Sequence, residues 1–260
     1  MNHTTTSSTL LIALALVLDA GAAPDPVLWL NFDGNVEDQS GSGNDGTILN
    51  DAEFGDDVPA ALAGGSSLIL ANGDVENQGV TVAGSEDLSS DVFTLAYWVK
   101  PAGPQGNAGL ERLTSRGGDL FETAIGDRNA VGGGDPLTLS YYAGTWENTA
   151  ITIPEDEWTH IAWRNKDDGD LDLLINGENV FTGTGVSPGH IGADALLNIG
   201  TRHSEVEGFE GLMDDLRHYN VALTDEEVLA LLSPAPSLPP FVGAWTFDGD
   251  ATDSSGNGND

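Results

Sequence analysis

Between Val27 and Tyr219 no apolar run is long, and that brevity limits the fold more than any other feature of the chain. Twelve runs follow one another: Val27–Phe32, Ser67–Leu70, Gly79–Val82, Val92–Val99, Leu120–Ile125, Leu137–Tyr142, Ala150–Ile153, Trp158–Arg164, Leu171–Ile175, Asn179–Thr182, Leu196–Ile199 and Leu212–Tyr219. Many are β-branched or aromatic, and Phe93, Leu95, Tyr97 and Val99 alternate. Alternation of this kind marks strands with one buried face. Gly, Asn, Asp and Pro clusters separate the runs, and the Asn176-Gly177 pair is a strong hairpin signal because both residues tolerate positive φ. The pattern predicts an all-β fold, a two-sheet antiparallel β-sandwich. One short helix is expected near the C-terminal side, where Thr224 and Glu227 form a capping-box pair ahead of Val228, Leu229, Leu231 and Leu232.

The chain also repeats itself. Residues 27–45, VLWLNFDGNVEDQSGSGND, align without a gap to residues 242–260, VGAWTFDGDATDSSGNGND, with 10 of 19 positions identical. A period of this size marks one whole unit, a linker, and the start of a second unit. Ser233–Pro240, SPAPSLPP, is the expected proline-rich linker, and residues 241–260 are the truncated opening of the second repeat. Ahead of the first unit, Thr9–Leu18 is apolar but too short to span a bilayer. The small residues Ala20, Gly21, Ala22 and Ala23 follow it, so residues 1–23 are read as a signal peptide and the protein as secreted or displayed on a cell surface. The folded unit is then 24–232.

With 42 acidic and 8 basic residues among 260, the formal net charge is −34. Such a surface repels phosphates and anionic lipid heads, which argues against nucleic acid and membrane insertion. There is no cysteine, so disulfides and thiolate metal sites are excluded.

Four stretches in order, WLNFDGNVEDQSGSGNDG, FTLAYWVKP, EWTHIAWRNKDDGDLDLLINGENV and FEGLMDDLRHYNVALTDEEVLALL, resemble the LamG-like jelly-roll domains of the concanavalin A-like lectin/glucanase superfamily. The resemblance implies about 12–14 strands in two curved sheets, with the first and last strands close together. It also implies a secreted or surface module, often in proteins that act on or adhere to polysaccharide.

Three kinds of site are weighed. Asp33, Asp38, Asn44 and Asp45 lie in a glycine-rich stretch whose oxygens suit calcium. The same residue types are ordinary turn formers. Recurrence of Asp33, Asp38 and Asn44 as Asp248, Asp253 and Asn259 favours the ion, and the resemblance brings Asp214 beside them. The expected structural Ca2+ shell is therefore Asp33, Asp38, Asn44 and Asp214. For carbohydrate, Trp146 is placed in a loop between strands, with Tyr141 or Tyr142 facing outward near it and Tyr142 taken into the patch. Together with Arg202 and His203 these form the candidate glycan patch. Trp98, Trp158 and Trp163 are assigned to the core, and His160 to a satisfied strand position. For catalysis, no strand carries the alternating paired acids of the superfamily's glycosidases. Glu205 and Glu207 lie in a loop, and the resemblance places Asp168, Asp170 and Asp172 at a solvated hairpin edge.

The reading that results is a non-catalytic recognition or adhesion module for polysaccharide or cell-surface glycan. The alternatives are a structural or protein-binding tandem repeat and, third, a glycoside hydrolase.

Overall fold

The computed structural model describes residues 23–62, 64–71, 78–103, 110–117, 120–126, 137–186, 192–202 and 207–232. Residues 1–22 of the expected signal peptide 1–23, the expected linker and second repeat, and His203 lie outside them.

Fifteen strands and one α-helix are found among the described residues. The strands are β1 (Leu28–Leu30), β2 (Gly46–Leu49), β3 (Glu53–Gly55), β4 (Ser67–Leu70), β5 (Gly79–Val82), β6 (Phe93–Pro101), β7 (Glu111–Arg116), β8 (Phe121–Ile125), β9 (Thr138–Tyr142), β10 (Trp146–Thr152), β11 (Thr159–Asn165), β12 (Leu171–Ile175), β13 (Glu178–Gly183), β14 (Leu197–Ile199) and β15 (Gly211–Tyr219). The helix is α1, Asp225–Ala230. One sheet of eight strands runs β13-β12-β11-β6-β15-β4-β3, with β1 also paired to β15, and a second sheet of seven runs β10-β9-β8-β7-β14-β5-β2. All strand pairs are antiparallel, giving the two-sheet sandwich expected of a jelly roll. The first strand lies against the last, in the register Leu28↔His218, Trp29↔Arg217, Leu30↔Leu216.

The inner faces close over one apolar cluster. Leu95, Tyr97, Ile161, Trp163, Leu173 and Met213 come from the larger sheet, and Leu113, Phe121, Leu139, Tyr141, Leu197 and Ile199 from the smaller. Burial of this apolar surface is the main force holding the sheets together. Polar atoms inside it are paired across the layers: the Tyr97 hydroxyl lies 3.0 Å from Thr123 Oγ1 and accepts from Trp163 Nε1 at 3.2 Å. An unpaired hydroxyl there would cost about 1–3 kcal/mol.

Helix α1 packs on the outer face of the larger sheet, against Ala96, Ala162, Leu174 and Tyr219. The two alanines leave room for the helix, and Thr224 with Glu227 completes the capping box. Arg164 ties the helix down, donating to Asp172, to Asp225 and to the Leu223 carbonyl. Asp172 is consequently buried, not on a solvated edge, because this ion pair and the Thr182 hydroxyl replace its water. The Asn176-Gly177 turn has φ of 50° and 80°, joining β12 to β13.

Trp158 departs from the core assignment, and Trp98 is buried outside the space between the sheets. Trp163 is fully buried between the sheets, whereas Trp98 packs on the outer face beside His160, with ring centroids 5.3 Å apart. Trp158, half-buried, donates to Asp57 Oδ1 at 2.9 Å. His160 is not satisfied through its ring: Nδ1 is buried with no hydrogen-bond partner among the described residues.

Candidate functional site

Strand alternation sets the site. Tyr141 enters the core, so Tyr142 must face out from the smaller sheet. The register then carries one line of outward positions across all seven strands: Trp146, Tyr142, Glu122, Ser115, Asn198, Thr81 and Thr47 are successive cross-strand partners. The adjacent line runs Asn148, Ser140, Ala124 and Arg112. A register shift between Arg112 and Thr114 keeps both Leu113 and Thr114 toward the core, and so turns Arg112 and Ser115 outward.

Trp146 is therefore the first residue of β10 and not a loop residue. It pairs with Tyr142 across the Ala143–Thr145 turn, their ring centroids 5.5 Å apart and tilted by 51°. Its apolar-poor surroundings, WENT, hid the strand from a hydrophobicity reading.

Charge is concentrated at the centre of this face. Arg112 Nε donates to Glu122 Oε2 at 2.9 Å, and Ser115 Oγ donates to Glu122 Oε1 at 2.9 Å. Arg202 Nε lies 3.5 Å from that same oxygen. The Arg112 guanidinium sits 4.4 Å from the Trp146 ring centroid, a cation–π contact. Arg112 and Glu122 are 0% and 1% exposed. Burial draws the Arg112 pKa below its ordinary value, although the carboxylates of Glu122 and Glu207 oppose the shift.

Across this face lies Glu207–Glu210. The Glu207 carbonyl accepts from the Arg112 amide at 2.8 Å, Gly208 forms a parallel bridge with Arg112, and Glu207 Oε2 is 2.7 Å from Arg112 Nη2. That last approach is an ion contact off the donor axis. Arg112 Nη1 and Nη2 make no hydrogen bond among the described residues, nor do the buried Asn198 Nδ2 and Thr81 Oγ1.

Of the expected glycan residues, Tyr142, Trp146 and Arg202 thus meet around Glu122. Arg112, Glu122 and Glu207 escaped the sequence reading. A signal was available: in a chain with 42 acids and 8 bases each cation is conspicuous, and Arg112 with Arg116 brackets the ERLTSR strand.

The expected calcium residues are placed differently. Asp38 accepts from the amides of Trp29, Ser40 and Asn44 at 2.9 Å each and from Ser40 Oγ at 2.8 Å. Burial works to raise its carboxyl, but these donors outweigh it and hold the group below the ordinary value. Asn44 Nδ2 donates to the Val27 carbonyl at 2.7 Å. Both Asp38 oxygens are taken up in organising the turn and do not fit an ion, whereas Asn44 is anchored through Nδ2 alone. Asp33 accepts from Asn31 Nδ2 and the Ser66 amide. Asp214 is buried, and burial, then the charges of Asp215 and Asp33, push it up to about 8 against the Asp215 amide hydrogen bond. No group of three or more His, Cys, Asp or Glu positioned for a metal occurs among the described residues.

Residues 73–229 match the family described as the concanavalin A-like lectin/glucanases superfamily, and the chain belongs to it. No curated protein matches. Among solved structures, the chain is similar to domain 4 of AbnA, a GH43 extracellular arabinanase from Geobacillus stearothermophilus, in complex with arabinotriose. Identity is 23%, with 80% of this chain and 98% of that one covered and a TM-score of 0.62. It is also similar to a botulinum neurotoxin type C structure concerned with two ganglioside molecules, at 13% identity, 80% and 50% coverage and a TM-score of 0.61. A third likeness is the binding domain of botulinum neurotoxin DC in complex with rat synaptotagmin II, at 12% identity, 80% and 51% coverage and a TM-score of 0.59. The chain spans about half the length of these two toxin structures. At such identities the likeness is one of fold.

Proposed function

We propose that the folded unit is a non-catalytic, extracellular carbohydrate-recognition module that lays a glycan along the outward face of the smaller sheet. The observation that carries this reading is the row Trp146–Tyr142–Glu122–Ser115–Asn198. It joins two half-buried aromatic rings to buried polar groups that keep unspent hydrogen-bonding capacity. Leaving such groups unpaired costs about 1–3 kcal/mol each, which a polar ligand or ordered water would recover. Trp146 and Tyr142 offer ring faces for a sugar to stack on, while Arg112, Arg202 and Glu122 offer donors and acceptors for its hydroxyls. Arabinotriose on the arabinanase domain and gangliosides with the toxin are in keeping with a glycan ligand, as polysaccharide or on a cell surface.

Catalysis is disfavoured on chemical grounds. A glycosidase needs one carboxyl to give a proton and a second to act on the sugar. Glu122 faces two guanidinium groups and a hydroxyl, and Glu207 faces Arg112, so each serves as an acceptor. Structural calcium belongs to this proposal through Asp33, Asn44 and Asp214, with main-chain carbonyls completing the shell. No helix among the described residues is long and apolar enough to cross a membrane. Secretion rests on the N-terminal sequence.

Isothermal titration of a panel of neutral and acidic oligosaccharides, with calcium present, tests the reading. Binding that Trp146→Ala abolishes is the expected result. No heat with any glycan removes it in favour of the second reading, a protein-binding repeat, to which the synaptotagmin II complex and the repeated sequence at 242–260 lend support.

A further inference from the structure

The hairpin β9–β10 has a second side. Its outward residues Tyr142 and Trp146 belong to the face described above. Tyr141 and Glu147 are also direct cross-strand partners, and they project to the opposite side, into the open edge of the sandwich where β10 meets β13. There a cleft of about 380 Å³ opens, lined by Tyr141, Phe181, Thr145, Glu147, Thr184 and Val186 together with glycine backbone at Gly183 and Gly185. Its volume lies within the usual range for small-molecule sites.

The floor is aromatic and fixed. Tyr141 packs against Trp163 and Phe181, with ring centroids at 5.7 and 6.2 Å. The Tyr141 hydroxyl makes no hydrogen bond with any described residue. A Cβ at position 183 would stand 2.7 Å from that hydroxyl, so glycine there keeps it open to the cleft. The mouth is polar: Thr145 Oγ1 donates to Glu147 Oε1 at 3.2 Å, which holds the carboxylate over the opening, and Thr184 faces it from β13's end. Burial, and then the Glu147 charge, push the Tyr141 hydroxyl up, so it remains a proton donor at neutral pH.

We propose that this cleft is a second ligand site, for one neutral sugar ring bearing vicinal hydroxyls, such as the end of a glycan chain. A carboxylate accepts from two adjacent hydroxyls at once, the aromatic floor takes the apolar face of the ring, and the Tyr141 hydroxyl donates to a ring or glycosidic oxygen. The lining holds one carboxylate and no cation, so uronic, sialic and sulfated sugars are repelled. The outward face, with Arg112 and Arg202, carries no such bias. The two sites lie on opposite sides of one hairpin, and this inference does not rest on the function proposed for the outward face.

The test is amide chemical-shift mapping on the full chain, titrated with methyl glycosides of glucose, galactose and arabinose, with galacturonate, and with choline. The expected result is a neutral glycoside that shifts the amides of Thr145, Glu147 and Gly183–Val186. Galacturonate should shift none of them. Glu147→Gln should weaken binding about tenfold, the loss expected when a hydrogen bond to a charged group becomes one to a neutral group. Tyr141→Phe, which keeps the packing, should weaken it as well. Arg202→Ala, on the other face, should leave these shifts intact while it weakens oligosaccharide binding there. Shifts confined to Tyr142, Ser115 and Arg202, a cleft that answers to choline and no sugar, or equal response to galacturonate would each overturn the proposal. A cleft response with no oligosaccharide bound on the outward face would sustain it while removing the function proposed above.

Discussion

The Arg112 guanidinium stands 4.4 Å from the centroid of the Trp146 ring, so a fully buried cation supports a half-buried aromatic surface on the far edge strand. The contact spans β7 to β10 and orients the indole from beneath. Its strength depends on Glu122, which holds the guanidinium at 2.9 Å. Buried charge, aromatic platform and outward polar row are therefore one assembly.

Arg112→Met should destabilise the fold by about 3–5 kcal/mol, because it leaves the buried Glu122 carboxylate with only the Ser115 hydroxyl and the longer Arg202 approach. Urea denaturation measures this. A loss below about 1 kcal/mol would mean that the carboxylate finds water or another donor.

Trp146→Ala should cost little stability, about 1–2 kcal/mol for a partly exposed ring, yet abolish oligosaccharide binding. Comparison of the melting curve with the titration separates the two effects. Equal damage to both would make Trp146 a structural residue.

Stability should fall on acidification through His160. Burial, and then the charge of Arg217, lower its value from 6.5 to about 3. Between those limits the unfolded chain binds the proton and the folded chain does not. The contribution is thus present at neutral pH and is lost as pH falls through 6.5 toward 3, by at most about 1.4 kcal/mol per pH unit. His218, lowered by burial and then by Arg116, acts in the same direction. With chelator present, Asp214, raised to about 8 chiefly by burial, acts oppositely, adding stability as pH falls from 8 toward 4. The diagnostic is accordingly the difference between wild type and His160→Gln, whose profile should be flatter below pH 6.5. Superimposable profiles would count against it.

If calcium is held by Asp33, Asn44 and Asp214, chelator should lower the melting temperature by several degrees, and Asp33→Ala should reproduce the effect and abolish further response. Asp38→Ala should destabilise equally with and without chelator, since Asp38 accepts from three donors in its own turn and from the Trp29 amide of β1. A chelator-insensitive melt of the wild type would refute the ion.

Local physics made much of the fold legible. Alternation in FTLAYWVKP, the Asn176-Gly177 turn and the Thr224–Glu227 cap each depend on residues near in sequence, and each is where the sequence placed it. Tyr142 was known to face out as soon as Tyr141 faced in. The strand ERLTSR was not legible, because its buried polar residues carry no hydrophobic period; only cross-strand partners make burying Arg112 tolerable. The same holds for Asp172, whose burial depends on Arg164 eight residues away. Asp38 shows the reverse limit: oxygen-rich composition marked the turn, while the direction of nearby amides decided what its oxygens bind. The sequence by itself determined the two-layer β architecture and its turns, because periodicity and turn chemistry act over a few residues. Tertiary structure alone decided which polar side chains share a face, because strand register joins residues from β2 to β14 that no local pattern relates.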